Sequence, residues 1–190
     1  MPLTTLDPMT ALIVVDLQRG IVDHPVIHPI SEIVARTREL IDAFRAERLP
    51  VVLVNVAGRA PGRTEQGPRA TQTFAAGWTE LVPELGQQPG DILVTKRSWG
   101  AFATTDLEDQ LKAKGVTQVV VTGIATSVGV EATARQAYEQ GFHVTLALDA
   151  MTDLRQEAHE YSIGNVFPRL GETGTTQEII SLLKKRSVTA

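Results

Sequence analysis

The stretch VVVTGIATSVGVEATARQAYEQG (Val119–Gly141) decides the fold class of this chain. Its β-branched start predicts a buried strand, its glycine-containing middle a tight turn, and its remainder a helix over Ser127–Gln140. In α/β enzymes, a reactive side chain often lies where a strand turns into a helix. The turn TSVGV contains Thr126, Ser127 and Gly129 but neither cysteine nor histidine. The residues that could act with this turn therefore have to come from elsewhere in the chain.

The alternation of apolar runs and helical segments continues on both sides of this stretch. Apolar runs predict buried strands at Ala11–Asp16, Val51–Val56, Asp91–Lys96, Gln118–Gly123 and His143–Asp149. Besides the helix already named, periodicity and caps predict helices over Ser31–Leu49, Thr105–Gly115, Leu154–Asn165 and Thr176–Leu183. Strands that are apolar on both faces, with helices between them, indicate a parallel sheet covered on both sides.

The composition is that of an ordinary globular protein and excludes several function classes. A length of 190 residues suits one domain, which we expect to span residues 1–190. The net charge of −4 offers no basic face for nucleic acid, and no apolar run reaches the ~20 residues of a membrane helix. The lack of cysteine excludes disulfides, thiolate metal sites and a cysteine nucleophile. No secretory pattern is visible, so we expect a cytoplasmic protein.

Polar residues follow several predicted strands, at the sheet edge where open parallel sheets bind ligands. Asp16 ends the first strand, Lys96 ends the third, and the Thr126–Gly129 turn follows the fourth. Taken singly, such residues are commonly turn formers, helix caps or surface residues. Asp149 ends the fifth strand and Asp153 follows soon after, and we expect both to cap the helix that follows them. An acid beside a lysine tunes a pKa. If their strands neighbour the fourth, Asp16 and Lys96 converge and form a reactive site.

The histidines and glycines do not indicate a metal or a nucleotide. His24 and His28 have the spacing of a helical metal pair, but the prolines around them disfavour a helix, and we interpret them as loop residues. His143 and His159 are interpreted as structural. TGIATSVG is not a GxGxxG fingerprint, and the sequence has no GxxxxGK[ST] loop. We therefore predict no cofactor, neither NAD nor another nucleotide.

One segment, Ala57–Gly77, is long, irregular and rich in glycine, proline and arginine. Segments of this length act as lids, interface elements or disordered excursions. Its arginines Arg59, Arg63 and Arg69 could meet substrate carboxylates, lie in solvent or cross to another subunit.

Four segments together resemble the isochorismatase-like hydrolase family, part of the cysteine hydrolase superfamily. They are VVDLQ at Val14–Gln18, KRSWGAF…TDLEDQLKAKG at Lys96–Gly115, VTGIATSVGVEATARQAYEQGF at Val121–Phe142, and the DAMTD that follows. The resemblance implies a three-layer, doubly wound α/β fold, with a mostly parallel six-stranded sheet and helices on both faces. We place its sixth strand near Val166–Leu170.

Most members of that family hydrolyse amides of small molecules with an Asp–Lys–Cys triad. The resemblance assigns Asp16 and Lys96 to the first two positions and Gly129 to the nucleophile position, where no nucleophile remains. A glycine cannot attack a carbonyl, and Ser127 lies two residues early with no histidine near it in sequence to act as its base. Isochorismatases also lack the cysteine and cleave a vinyl ether. In them the equivalent aspartic acid protonates the enol-ether carbon, and water captures the oxocarbenium ion.

The resemblance also implies the surroundings of the site. It implies a cis peptide bond at Ile124–Ala125, with turn N–H groups aimed at an anionic ligand. The family's nicotinamidases hold a metal through histidines after the second strand. NVAGRAPGR has none here, so we predict no metal. Family members are usually dimers or tetramers, so we expect a homo-oligomer. The predicted substrate-binding residues, with Phe102 included for its proximity to Lys96, are Gln18, Phe102, Ile124, Ala125, Thr126, Ser127 and Val128.

Several functions remain open from the sequence. A small-molecule hydrolase would use Asp16 as general acid and Lys96 as its charge partner on a vinyl ether such as isochorismate, with Gly129 leaving room for ligand or water. An inactive relative would bind a metabolite or a protein. An amide hydrolase without a cysteine, and a chain whose residue 129 was changed from cysteine, are the other readings. We predict the hydrolase, with Asp16, Lys96 and Gly129 as its catalytic positions.

Overall fold

The structure is a computed structural model that describes residues 3–65 and 74–187. The strands are β1 (Thr10–Val15), β2 (Val51–Val56), β3 (Ile92–Lys96), β4 (Gln118–Ile124), β5 (His143–Thr152) and β6 (Glu172–Gly174). The helices are α1 (Arg19–Val22), α2 (Ile30–Ala46), α3 (Leu107–Ala113), α4 (Glu131–Glu139), α5 (Gln156–Tyr161), α6 (Phe167–Leu170) and α7 (Thr176–Ser187). Short 3₁₀ or π-helical turns occupy Pro83–Leu85, Thr126–Val130 and Ser162–Val166. Within the described ranges, no helix is long and apolar enough to cross a membrane.

The strands form one sheet in the order β3-β2-β1-β4-β5-β6, and every neighbouring pair is parallel. The chain winds outward from β1 to β3, returns to the other side of β1 as β4, and winds outward again to β6. The predicted doubly wound α/β fold is therefore confirmed, with a sheet that is wholly rather than mostly parallel. The strand order reverses between β1 and β4, and the crevice at that reversal is where such sheets bind ligands.

The central strand β1 explains the continuous apolar runs of the sequence. All six of its residues are buried. Ala11, Ile13 and Val15 face a core shared with α3, α4 and α6, whereas Leu12 and Val14 face a core shared with α2 and α7. A strand with helices on both faces has no solvent side, so neither set of alternate positions is polar.

The edge strand β3 departs from this pattern. Its burial alternates, and Leu93 and Thr95 are exposed on one face. The prediction of strands buried on both faces therefore holds for the inner strands but not for this one. Lys96, the last residue of β3, is nevertheless almost fully buried, at 1% exposure.

The predicted position of the sixth strand, Val166–Leu170, is wrong. Val166 ends a π-helical turn, and the following residues form α6, with Pro168 in the first helical turn, where its missing N–H breaks no hydrogen bond. The sixth strand is Glu172–Gly174, which pairs with β5. It has three residues and no apolar run, so no strand pattern marked it in the sequence.

Candidate functional site

An ion pair between Asp16 and Lys96 lies at the carboxyl edge of the sheet. Lys96 Nζ donates a hydrogen bond of 2.7 Å to Asp16 Oδ2 and one of 3.3 Å to the carbonyl of Ser98. Asp16 is 6% exposed and Lys96 is 1% exposed. The structure thus brings together the two side chains that the sequence singled out, and it does so away from bulk solvent.

The contact is made across an intervening strand. Lys96 pairs with Val56 on β2, and the N–H of Asp16 donates to the carbonyl of Val54 on the same strand. Two strand spacings amount to roughly 9.6 Å, and only a long side chain closes that gap. The premise that the strand of Lys96 neighbours the fourth strand was therefore wrong, although the two groups do meet.

The environment of Asp16 raises the affinity of its carboxyl group for a proton. Its Oδ1 atom is buried and has no hydrogen-bond partner among the described residues. Burial raises the pKa of Asp16 from 3.8 to about 6, against the opposing effects of the Lys96 charge and its hydrogen bond. The backbone of Asp16 has a φ of +53°, in the left-handed region that aspartate tolerates better than most residues. Asp16 can therefore hold or release a proton close to neutral pH.

Gly129 lies directly against this carboxyl group. It is buried in the π-helical turn Thr126–Val130. A β-carbon at residue 129 would lie 3.0 Å from Val15 Cγ1 and 3.1 Å from both Asp16 Oδ2 and Ile124 O. Those distances are shorter than most β-carbon contacts, so a side chain at residue 129 would require its neighbours to shift by a few tenths of an ångström. The space that was expected beside Gly129 for a ligand or water is therefore narrow on the side that faces Val15 and Asp16.

The turn before Gly129 directs its N–H groups at protein acceptors. The Ile124–Ala125 peptide bond is cis. The N–H of Ser127 donates to Asp153 Oδ2 at 2.7 Å, and the N–H of Val128 donates to the carbonyl of Ala125 at 3.0 Å. The expectation that the N–H groups of this turn face an anionic ligand is therefore wrong for Ser127 and Val128.

His159, which was interpreted as structural, holds the same turn, and His28, which was interpreted as a loop residue, packs against it. Thr126 Oγ1 donates to the carbonyl of Thr152 at 3.1 Å and lies 2.8 Å from His159 Nδ1. Because a hydroxyl has one proton, His159 Nδ1 is the donor to Thr126. The ring of His28 packs edge-on against His159, with centroids 4.9 Å apart. Burial, followed by the charge of His28, lowers the pKa of His159, so this pair favours a neutral imidazole against the turn.

Asp149 and Asp153 form hydrogen bonds other than those expected. Asp153 Oδ1 accepts from the N–H groups of Leu154 and Arg155 at 2.7 and 3.3 Å, in the turn that leads to α5. Its other oxygen holds the turn before Gly129. Asp149 Oδ1 accepts from the N–H and the hydroxyl of Thr176 at 2.7 and 2.9 Å. Asp149 therefore caps α7 rather than the next helix, because α7 begins beside β5 in space.

Gln18 and Phe102, both predicted to bind substrate, are engaged by the protein itself. Gln18 Oε1 accepts from the N–H of Val56 at 2.7 Å, and its Nε2 donates to the carbonyls of Val56 and Trp78 at 3.1 and 3.2 Å. The ring of Phe102 lies in the core that the sheet shares with α3 and α4, 5.9 Å from the ring of Phe142. Gln18 thus ties the end of β2 to the segment around Trp78, and Phe102 packs in the core.

The long segment after β2 is described only in part. Arg59 and Arg63 are exposed, whereas Arg69 lies outside the described residues. No group of three or more histidine, aspartate or glutamate side chains in residues 3–65 and 74–187 could hold a metal ion.

Comparison with known proteins agrees with this architecture. Residues 10–178 match the isochorismatase domain. The isochorismatase family protein YwoC of Bacillus subtilis (strain 168) is 40% identical over 181 residues, which cover 92% of this chain and 94% of YwoC. A solved isochorismatase family protein from Burkholderia thailandensis is 40% identical, with a TM-score of 0.89 over 95% of this chain and 98% of that one. The ureidoacrylate amidohydrolase RutB of Stutzerimonas stutzeri (strain A1501) is 31% identical over 87% of this chain and 80% of its own.

Proposed function

Because the chain belongs to the isochorismatase family, we propose that it is a hydrolase of small molecules that works by general-acid catalysis without a covalent enzyme intermediate. Asp16 is the acid, Lys96 is its charge partner, and Gly129 stands at the nucleophile position. The observation that carries this proposal is the buried ion pair of 2.7 Å, whose carboxyl group has one oxygen without a hydrogen-bond partner among the described residues.

The proposed substrate is a vinyl ether such as isochorismate. Lys96 binds Oδ2, so the proton of the acid form resides on Oδ1, the oxygen that is available to donate it. Transfer of that proton to the terminal enol-ether carbon forms a C–H bond and leaves an oxocarbenium ion. Water adds to this ion to form a hemiketal, whose C–O bond breaks as its hydroxyl proton passes to the departing oxygen, giving an alcohol and a ketone. The proton released by the water restores the acid.

The state of Asp16 makes this chemistry feasible near neutral pH. With a pKa of about 6, roughly a tenth of the molecules carry the proton at pH 7. Carboxylates on a bound substrate would raise that fraction, because they compete for Lys96 and repel the ionised form of Asp16. General-acid catalysis of this kind contributes ~10²–10⁴-fold to a rate. Turnover is therefore expected to fall as the pH rises above about 6.

A second candidate is an inactive relative that binds a metabolite or a protein partner. The glycine at residue 129 favours it, because no nucleophilic side chain stands at that position. A non-cysteine amide hydrolase would need a nucleophile other than residue 129. The two functions make different predictions for the same substrates, and one assay separates them.

The test is turnover of isochorismate, chorismate and simple amides by the wild-type protein and by Asp16→Asn. We expect cleavage of a vinyl ether, none of the amides, and a loss of ~10²–10⁴-fold in Asp16→Asn. Asp109→Asn, which changes an exposed acid on α3, is the control and should retain wild-type activity. If the wild-type protein cleaves none of these substrates and Asp16→Asn still binds isochorismate, the binding protein is the better description.

A further inference from the structure

A single buried hydroxyl group joins the turn that lies beside Asp16 to the segment that follows Lys96. Thr133 lies on α4 at 0% exposure. Its Oγ1 donates to the carbonyl of Gly129 at 2.7 Å and accepts from the N–H of Ala101 at 3.2 Å. Both bonds can exist together, because a hydroxyl has one proton and two lone pairs. Gly129 adjoins Asp16, and Ala101 belongs to the segment that follows Lys96.

The segment after Lys96 is held on α4 by a second contact. The N–H of Phe102 donates to Gln136 Oε1 at 3.0 Å, so two consecutive N–H groups are bound by side chains one helical turn apart. A β-carbon at Gly100 would lie 2.2 Å from Gln136 Oε1, so a larger residue at position 100 would displace the side chain that binds this segment. The same segment contains the carbonyl of Ser98, which accepts from Lys96 Nζ.

The sheet alone does not fix the position of the Lys96 ammonium group. Lys96 is on the edge strand, two strands from Asp16, and its stem is flexible. Its Nζ is held by two acceptors, Asp16 Oδ2 and the carbonyl of Ser98. The second acceptor lies in the segment that α4 holds in place. The hydrogen bonds of Thr133 and Gln136 to that segment therefore also help to set the position at which Lys96 Nζ contacts Asp16.

We propose that Thr133, assisted by Gln136, is a positioning residue that holds the Lys96 ammonium group against the Asp16 carboxyl group. Both hydrogen bonds of Thr133 Oγ1 are made to backbone groups of the protein. Thr133 therefore acts on a substrate only through the groups that it positions. The role of Thr133 in catalysis rests on the proposed function, but its role in positioning Lys96 does not.

The decisive measurement is the titration of Asp16 in the ligand-free protein, followed by the ¹³C shift of its carboxyl carbon. Lys96, the charged side chain in contact with Asp16, lowers the pKa of that carboxyl group. Thr133→Val keeps the shape and removes the hydroxyl, so Lys96 loosens and the Asp16 midpoint rises by ~0.5–1 pH unit. Thr133→Ser keeps the hydroxyl and is expected to titrate as the wild type. Thr37→Val is the matched control, because Thr37 is a buried helical threonine whose hydroxyl has no partner among the described residues, and it should not move the midpoint.

Turnover provides a second readout. On a vinyl ether, Thr133→Val should lower kcat by ~10-fold with little change in KM, and Thr133→Ser should restore it. If the wild-type protein turns over no vinyl ether, the proposed function fails while the titration still decides the role of Thr133. A folded Thr133→Val that titrates like the wild type overturns the inference. If Thr133→Val does not fold, Gln136→Met decides in the same way: a raised midpoint supports the inference, and an unchanged one overturns it.

Discussion

Two aspartates, Asp16 and Asp153, follow strands at the same edge of the sheet and are equally hidden from solvent, at 6% and 3% exposure. Asp153 accepts hydrogen bonds from three backbone N–H groups, which engage both of its oxygens. Asp16 has one partner, the ammonium group of Lys96, and its Oδ1 has none among the described residues. Both carboxyl groups are therefore buried, and they differ in the number of hydrogen-bond donors that the protein provides to them. Asp153 fastens a turn, whereas Asp16 keeps one oxygen without a hydrogen-bond partner among the described residues.

The largest effect is expected from breaking the ion pair on one side only. Lys96→Met leaves the Asp16 carboxyl group buried without its counter-charge, and we expect a loss of ~3–5 kcal/mol in the free energy of unfolding. Asp16→Asn combined with Lys96→Met removes both charges and should recover most of that loss. Urea unfolding of the single and double variants measures the difference. Additive losses would show that the two groups do not depend on each other.

The next effect is a pH dependence of stability that belongs to Asp16. The pKa of its carboxyl group is about 6 in the folded protein and 3.8 as its ordinary value. Between these values the folded state binds more protons than the unfolded state, so stability falls as the pH rises from about 4 to about 6. The contribution is at most ~3 kcal/mol, since each pKa unit corresponds to 1.36 kcal/mol.

Comparison of wild type with Asp16→Asn over that pH range isolates the contribution. The variant has no acid at this position, so the difference in unfolding free energy between the two proteins should change between pH 4 and 6 and level off above pH 6. A constant difference across the range would show that Asp16 titrates in the folded protein as it does in the unfolded chain.

A smaller loss is expected at Asp153. Asp153→Asn places an amide where two carboxylate oxygens accept three N–H groups, so at least one buried donor is left unpaired, at a cost of ~1–3 kcal/mol. Asp149→Asn is a matched control, because Asp149 also accepts two hydrogen bonds through one oxygen but fastens α7 instead of the turn. Urea unfolding should show the smaller loss for Asp149→Asn, because the amide oxygen that replaces Asp149 Oδ1 can still accept both hydrogen bonds from Thr176. Loss of vinyl-ether turnover beyond the loss of stability is expected for Asp153→Asn alone.

The sequence predicted the parts of this molecule that rest on local patterns. The inner strands were found because burial on both faces leaves long apolar runs, and the short polar strand Glu172–Gly174 was missed because it has no such run. Asp16 and Lys96 were identified by their places after strands, but the strand order that separates them was not predictable from spacing. Thr133 gave only a weak signal, a threonine four residues after Gly129 that can bond back to its carbonyl. Its bond to Ala101, 32 residues away, depends on the packing of α4.

The smallest effect concerns the histidines that hold the turn on the Asp153 side. The pKa of His159 is lowered by burial and then by His28. The folded protein therefore binds fewer protons at His159 than the unfolded chain does, and its contribution to stability is lost as the pH falls below 6.5. This slope is opposite in sign to that of Asp16. His28→Phe keeps an aromatic ring against His159 and removes the charge, so the pKa of His159 should rise, and the turn should withstand mild acid better. ¹H NMR titration of the imidazole measures this shift, with the exposed His24→Phe as the control. A His159 midpoint that is the same in His28→Phe and His24→Phe would mean that His28 does not lower the pKa of His159, and that the two rings are in contact without electrostatic coupling.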